Sequence, residues 1–411
     1  MPDGIRDGDA VDDLLARLDR FPADRYPVQR ATASFHLGVA LAGGGRLEEA
    51  ESALHVACEL FRPEQLPAEH AKAANALGAV QRMAGRFDQA ARSFRTASRL
   101  FGEAALHLEQ GAALYNLGLV ERETNGQGAM AAFEQARSLL DPARVPGQAA
   151  AVARELGATL LSAGRPDDAV PPLEAAVDLA AAAGDRVGLG GAANALGLAH
   201  LASSRVVEAV QALEQAVAAH PRSVRPDAYA MAKANLALAL EAAGRLPRAR
   251  LAALQAAGAP SVPEPVHAQA LAVLSRVGTD PGAVWAVLDE EPPERWAAVV
   301  REEVTRWQDG TEAERSSECR AWVAGQLERP RAAEELAGAY LAALVELPPR
   351  TLDVMVRSTI GALGSFVPEL QERFAGQCSR ALARFPVPQL LRLKDTFSAA
   401  ATDAGLAATS W

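Results

Sequence analysis

A Leu-Gly dipeptide recurs at a nearly fixed interval through the first part of the chain, and no other feature restricts the fold as tightly. It stands at Leu37-Gly38, Leu77-Gly78, Leu117-Gly118, Leu156-Gly157 and Leu196-Gly197, with Leu236-Ala237 as a sixth copy, at spacings of 40, 40, 39, 40 and 40. A period of this length marks an array in which each unit buries its apolar face on the next. Seven positions after each anchor comes a small or turn residue (Gly45, Gly85, Asn125, Gly164, Ser204, Gly244), usually followed by Arg, so a helix is predicted to end there. Further on stand Ala50, Ala90, Met130, Ala169, Ala209 and Ala249, then Leu54, Phe94, Leu173, Leu213 and Ala253, then Ala57, Ala97, Ala176, Ala216 and Ala256. The third copy is one residue short, which places Phe133 and Ala136 one step early and predicts an altered turn. Small residues at these sites predict two helices crossing at close range, where a large side chain would push the pair apart.

Composition agrees. Of 411 residues 92 are Ala, the strongest helix former, while aromatic residues make up 5%, so a β-sandwich or barrel is excluded. A formal net charge of −10 argues against a nucleic-acid partner and an anionic membrane surface. Only Lys72, Lys233 and Lys394 are lysines, a skew towards Arg expected of a GC-rich bacterial genome. The acidic amino terminus lacks the basic and apolar regions of a signal peptide, and no apolar run is long enough to span a bilayer, so a cytoplasmic location is expected. Cys58, Cys319 and Cys378 are odd in number and far apart, and read as buried free thiols.

The pattern of a helix with a Leu-Gly core, a tight turn, and a second helix with Ala, a large apolar residue and Ala resembles the tetratricopeptide repeat, in a longer-period form. Pro-containing joins at residues 62–67 and 141–146 are expected to supply the extra length. The resemblance implies an all-α solenoid, a right-handed superhelix of helical hairpins, and a protein-interaction scaffold or adaptor, regulatory or assembly-related, with no enzymatic activity. The alternative is a peptide or small-ligand sensor whose superhelix changes shape on binding. The predicted organisation is a capping helix in residues 1–27, with Val11, Leu14, Leu15 and Leu18 on one face, then six repeats over 28–257. A Pro-rich linker at 258–265 and a divergent helical domain at 266–411 follow. There Pro281, Pro292, Pro330, Pro349, Pro368 and Pro388 are read as helix starts, and the half-repeat spacing of the last four suggests further stacked hairpins, in a domain that either continues the solenoid or folds back as a bundle.

Few residues suggest chemistry. Gly188 to Ala193 fits GxGxxA but has no preceding strand, so it reads as a helix start, and Gly43-Gly-Gly45-Arg46 lacks the ending of a phosphate loop. The seven His residues show no metal-binding spacing, and no cofactor, metal or catalytic residue is expected. Glu302-Glu303 and Glu334-Glu335 read as solvated faces with Arg partners three or four residues away. All five Trp residues lie beyond residue 280; Trp296 and Trp307 share a helical face, read as core, with a homodimer surface as the minority reading.

The resemblance places the first helix of each repeat on the concave side. The sites facing it hold Phe35, Asn75, Arg82, Met83, Tyr115, Arg122, Arg154, Asn194 and Met231, with Lys72 one turn earlier. A groove of this kind is expected to bind a protein or peptide partner, an acidic segment in particular, with Asn amides on its backbone and Arg residues on its carboxylates.

Overall fold

A computed structural model of the chain describes residues 7–124, 128–279 and 281–406, so the sequence readings at Asn125 and Trp411 lie outside the described residues. Every regular element among them is an α-helix, and the chain forms two compact units, residues 1–203 and 204–411.

In the first unit α1 (Asp7–Arg20) packs on α2 (Pro27–Gly43), and the hairpins α2 with α3 (Leu47–Leu60), α4 (Pro67–Met83) with α5 (Phe87–Glu103), α6 (His107–Glu123) with α7 (Ala129–Leu139), and α8 (Pro146–Ser162) with α9 (Pro166–Ala182) follow, then α10 (Arg186–Ala202). Val11, Leu14 and Leu18 of α1 join the first core cluster; Leu15, also expected on that face, stands on its flank and is exposed.

All six anchor leucines are buried, from Leu37 to Leu236, as the close-crossing argument requires. The geometry shows why glycine follows them: a Cβ on Gly38 would fall 2.5 Å from Leu54, one on Gly78 2.9 Å from the Phe94 ring, and one on Gly118 2.5 Å from Phe133. Phe133 thus fills the knob position one step early, as the shortened third copy predicts, and Gly157 meets Leu173 in the same way.

The 40-residue period is reached by two routes. Each first helix is 17 residues long, but α3 has 14 and α7 has 11, and after them the chain runs through a Pro loop into Pro67 or Pro146 at the start of the next helix. After the 17-residue α5 and α9 there is only a short turn, carried by a positive φ at Ala105 (56°) and Gly184 (68°). Prolines therefore supply the length at some joins, and a longer second helix supplies it at the others.

The second unit starts in the same manner. α12 (Pro226–Ala242) pairs with α13 (Leu246–Ala257), α11 (Val206–Ala219) lies against α12, and α14 (Glu264–Val277) packs on both members of the pair, where the first helix of another repeat would stand. Beyond α15 (Ala283–Glu290) the packing rule changes. α16 (Pro293–Asp309) packs on α18 (Ala333–Val345), α17 (Glu312–Leu327) on α19 (Pro349–Leu363), α18 on α20 (Pro368–Leu382) and α19 on α21 (Val387–Asp403), while chain neighbours touch only slightly. The half-repeat spacing of prolines thus gives two interleaved rows and not the stacked hairpins it predicts: a Pro in the first turn starts each of α19, α20 and α21, but the partner of each helix is the next but one. α17 starts without Pro, through a capping box in which Thr311 and Glu314 satisfy each other's backbone N–H groups.

The interleaved rows close on an aromatic stack. Trp285 and Trp322 lie 4.5 Å apart, Trp322 and Tyr340 5.0 Å, and Arg329 covers the outer face of Trp285 at 4.6 Å. Gly325 lets the Trp285 ring lie directly on the α17 backbone. Trp307 is buried and Trp296 packs at the core's edge, so the shared-face reading of these two as core is correct, and the four described tryptophans build no exposed dimer face. Cys319 and Cys378 are buried, and burial pushes their thiols up to about 11 and about 12; half-buried Cys58 is raised to about 11 for the same reason. At such values the thiols stay protonated and unreactive near neutrality.

Candidate functional site

On α4, α6 and α8 the apolar side of each helix is committed to its hairpin and neighbours, which leaves one polar stripe on each. Equivalent positions hold Asn75, Tyr115 and Arg154, flanked by Lys72, Arg82, Met83 and Arg122. Met83 is 57% exposed, and Lys72 is exposed with no ion partner among the described residues. Tyr115 is half-buried with its ring tilted against Phe133 at 6.0 Å, and Asn75 accepts a long hydrogen bond from Asn116 at 3.4 Å.

The arginines do not form a free basic row. Arg82 donates to Glu123 on the next first helix at 3.0 Å, and Arg122 and Arg154 both bind Glu155, the latter at 2.7 Å. Glu155 is 6% exposed, so its two partners hold a buried carboxylate as well as facing outward. Two further residues of the expected groove are less exposed: Phe35 is half-buried, packed into the first core clusters with His36 edge-on to its ring, and Asn194 is buried. Met231 belongs to the second unit, where it is exposed on α12.

Sequence reasoning missed a buried polar network in the second unit. Lys233 binds Glu302 at 2.7 Å and Gln255 at 2.6 Å; Gln255 donates to Glu303 at 2.9 Å; and Arg306 joins Glu303 to Glu318, both at 2.7 Å. Tyr229 donates to Glu302 at 2.5 Å. Burial and then the Glu302 charge push the Tyr229 phenol up. Burial alone would raise Glu302, but the Lys233 ammonium, with hydrogen bonds from Lys233 and Tyr229, outweighs it and holds the carboxylate below its ordinary range. Glu303 has the Arg partner at i+3 that its sequence predicts, yet it is fully buried and not solvated; Glu334 finds its Arg partners in Arg380 on α20 and Arg384 just beyond it. A signal was available: four residues before each anchor glycine the chain has Ser34, Ala74, Leu114, Ala153 and Ala193, all buried, and Lys233 in the sixth copy breaks that series.

The remaining motifs are structural. Gly188 to Ala193 lies in the first turns of α10, capped by Asp185, and Gly43 to Arg46 spans the end of α2 and its turn. Among the described residues no three His, Cys, Asp or Glu side chains cluster as a metal ion needs, and no helix is long and apolar enough to cross a membrane.

A helical-hairpin array with small residues at every crossing is the architecture of a repeat solenoid. The family model of the tetratricopeptide repeat matches residues 194–263 of this array. Among solved structures, the chain is similar to YrrB, described as a TPR protein with an unusual peptide-binding site, at 19% identity over 54% of this chain and 97% of that one, with a TM-score of 0.39. It is also similar to pilF of Pseudomonas aeruginosa (18% identity, 55% and 89% coverage, TM-score 0.41) and to the RpL4 assembly chaperone Acl4 (16%, 60% and 96%, TM-score 0.44). No curated protein sequence matches the chain. Arrays of this class act as protein-interaction scaffolds, through surfaces built from several repeats at once.

Proposed function

We infer that the chain is a non-enzymatic, cytoplasmic adaptor whose first unit receives an extended, acidic segment of a partner protein along α4, α6 and α8. The observation that carries this reading is the half-exposed pair Arg82–Glu123, which links consecutive first helices beside the exposed Met83 and the unpartnered Lys72. A carboxylate of the partner can take the place of Glu123 on Arg82 and supply Lys72 with a counter-charge. Because that is an exchange of ion pairs and not a gain of one, the charges contribute mainly to register and encounter rate, and contact with Met83 and Tyr115 contributes the affinity.

Affinity capture from the native host with mass spectrometry identifies the partner, and titration of its bound segment tests the site. Met83→Ala should weaken binding by about 1–3 kcal/mol and Arg82→Ala should weaken it less, mainly through slower association, each with an unchanged melt, and raised salt should slow association. A segment that binds Arg82→Ala, Met83→Ala and Lys72→Ala as tightly as the parent chain refutes this placement. Arg122 and Arg154 are poor probes when changed together, because the double variant strands the buried Glu155.

A further inference from the structure

One cleft of the second unit combines groups that the scaffold reading leaves unused. It lies between α17 and α19 with a volume of about 720 Å³. Arg315 is fixed at its edge by the carbonyls of Gln308 and Gly310, at 3.5 and 3.0 Å, and by Ser358 at 3.2 Å, with no carboxylate on its guanidinium. Arg320 lines the same cleft, exposed and without a partner among the described residues. Beside them the hydroxyls of Ser316 and Ser317 are exposed. Arg357 forms the opposite wall but is neutralised by Asp353 at 2.9 Å and Asp403 at 2.8 Å.

The shape of this donor set selects its ligand. Apart from Val354, Gly361 and Ala362 the lining residues are polar or charged. Gly361 stands in the last turn of α19 with nothing within 4 Å of where its Cβ would be, which leaves the floor open. The cleft offers donors on two arginines and two serines, a set that suits the three tetrahedral oxygens of a phosphoryl group better than the two coplanar oxygens of a carboxylate. Glu312 also lines the cleft and offsets part of the positive charge of its arginines. We propose that this cleft binds a phosphate monoester group.

Calorimetry on the full chain tests the proposal with a short phosphoserine peptide of otherwise neutral sequence, its unphosphorylated and Glu counterparts, free phosphoserine and inorganic phosphate. Saturable one-to-one binding is expected for the phosphopeptide, with none for the unphosphorylated form and weaker binding for the Glu form. Arg320→Gln should leave the melt unchanged and weaken binding about tenfold, the scale of one charge-assisted hydrogen bond. Gly361→Leu should abolish binding by filling the floor. Tighter binding of the peptide than of free phosphoserine assigns the site to a phosphorylated protein segment; equal binding of the small probes assigns it to a free phosphate compound. Absence of saturable heat with every phosphate probe at millimolar concentration, equal affinity for the Glu peptide, or binding untouched by both substitutions overturns it.

Discussion

The repeats and the carboxy-terminal rows bury helices by opposite means. In the repeats, Gly78 meets Phe94 and Gly118 meets Phe133 across a crossing so close that a single added methyl group would overlap a ring. In the rows, Trp285, Trp307, Trp322 and Tyr340, one from each of α15 to α18, pack ring on ring, while the helices themselves take the next but one as their main partner. Close crossings suit partners adjacent in sequence, because a short turn already holds them together. Partners separated by a whole helix have no such tether, and a large buried aromatic area compensates. The first arrangement repeats and offers an extended surface, whereas the second closes on itself.

The contrast is broken most severely at its aromatic side. Trp322→Ala removes the ring shared by Trp285, Trp307 and Tyr340 and should cost about 3–5 kcal/mol, read as an early loss of near-ultraviolet circular dichroism. On the other side, Gly78→Leu should cost about 1–3 kcal/mol or more, since the side chain has to displace Phe94. An unchanged thermal melt for either variant would refute the packing described for that region.

The sequence discloses the two arrangements unequally, for a physical reason. Close crossings need small residues at fixed intervals, and a fixed interval is visible: among the described residues, Leu-Gly, the turn residues and the Ala positions stand where their spacing predicts. Interleaved rows need only apolar faces, and Leu336, Tyr340 and Leu344 look the same whether α18 packs on its chain neighbour or on the next helix but one. The groove is legible in part for a similar reason. Spacing places Arg82, Arg122 and Arg154 on the first helices, but the carboxylates that neutralise Arg82 and Arg122, Glu123 and Glu155, come from the next repeat, and charge partners across repeats carry no period.

Lys233 sharpens the comparison, because it sits where the repeat packing ends. Lys233→Met leaves Glu302 without its ammonium partner and Gln255 without its donor, at a cost of about 1–3 kcal/mol near neutral pH. The folded-state value of Glu302 is depressed, so the stability it contributes is present above the ordinary carboxylate range and is lost as pH falls through the depressed value. The melting temperatures of parent and variant should therefore converge on acidification. A constant gap down to the acid limit would place the effect in packing and not in charge.

The smallest effect concerns the two equivalent joins, and it separates backbone strain from packing within the repeats themselves. Ala105 and Gly184 close the turns after α5 and α9 with the same left-handed conformation, at φ 56° and 68°. A Cβ in that region crowds the following carbonyl by roughly 1 kcal/mol, which glycine avoids. Ala105→Gly should therefore stabilise the first unit by about 1 kcal/mol, less the entropy that glycine adds to the unfolded chain. Gly184→Ala should destabilise it by a similar amount, with both shifts read in thermal melts. Nothing lies within 4 Å of where a Cβ on Gly184 would stand, so a loss there would come from the dihedral angle and not from a clash. If Ala105→Gly lowered the melting temperature instead, the gain in unfolded-state entropy would outweigh the relief of strain, and the residue at this turn would be set by the unfolded chain.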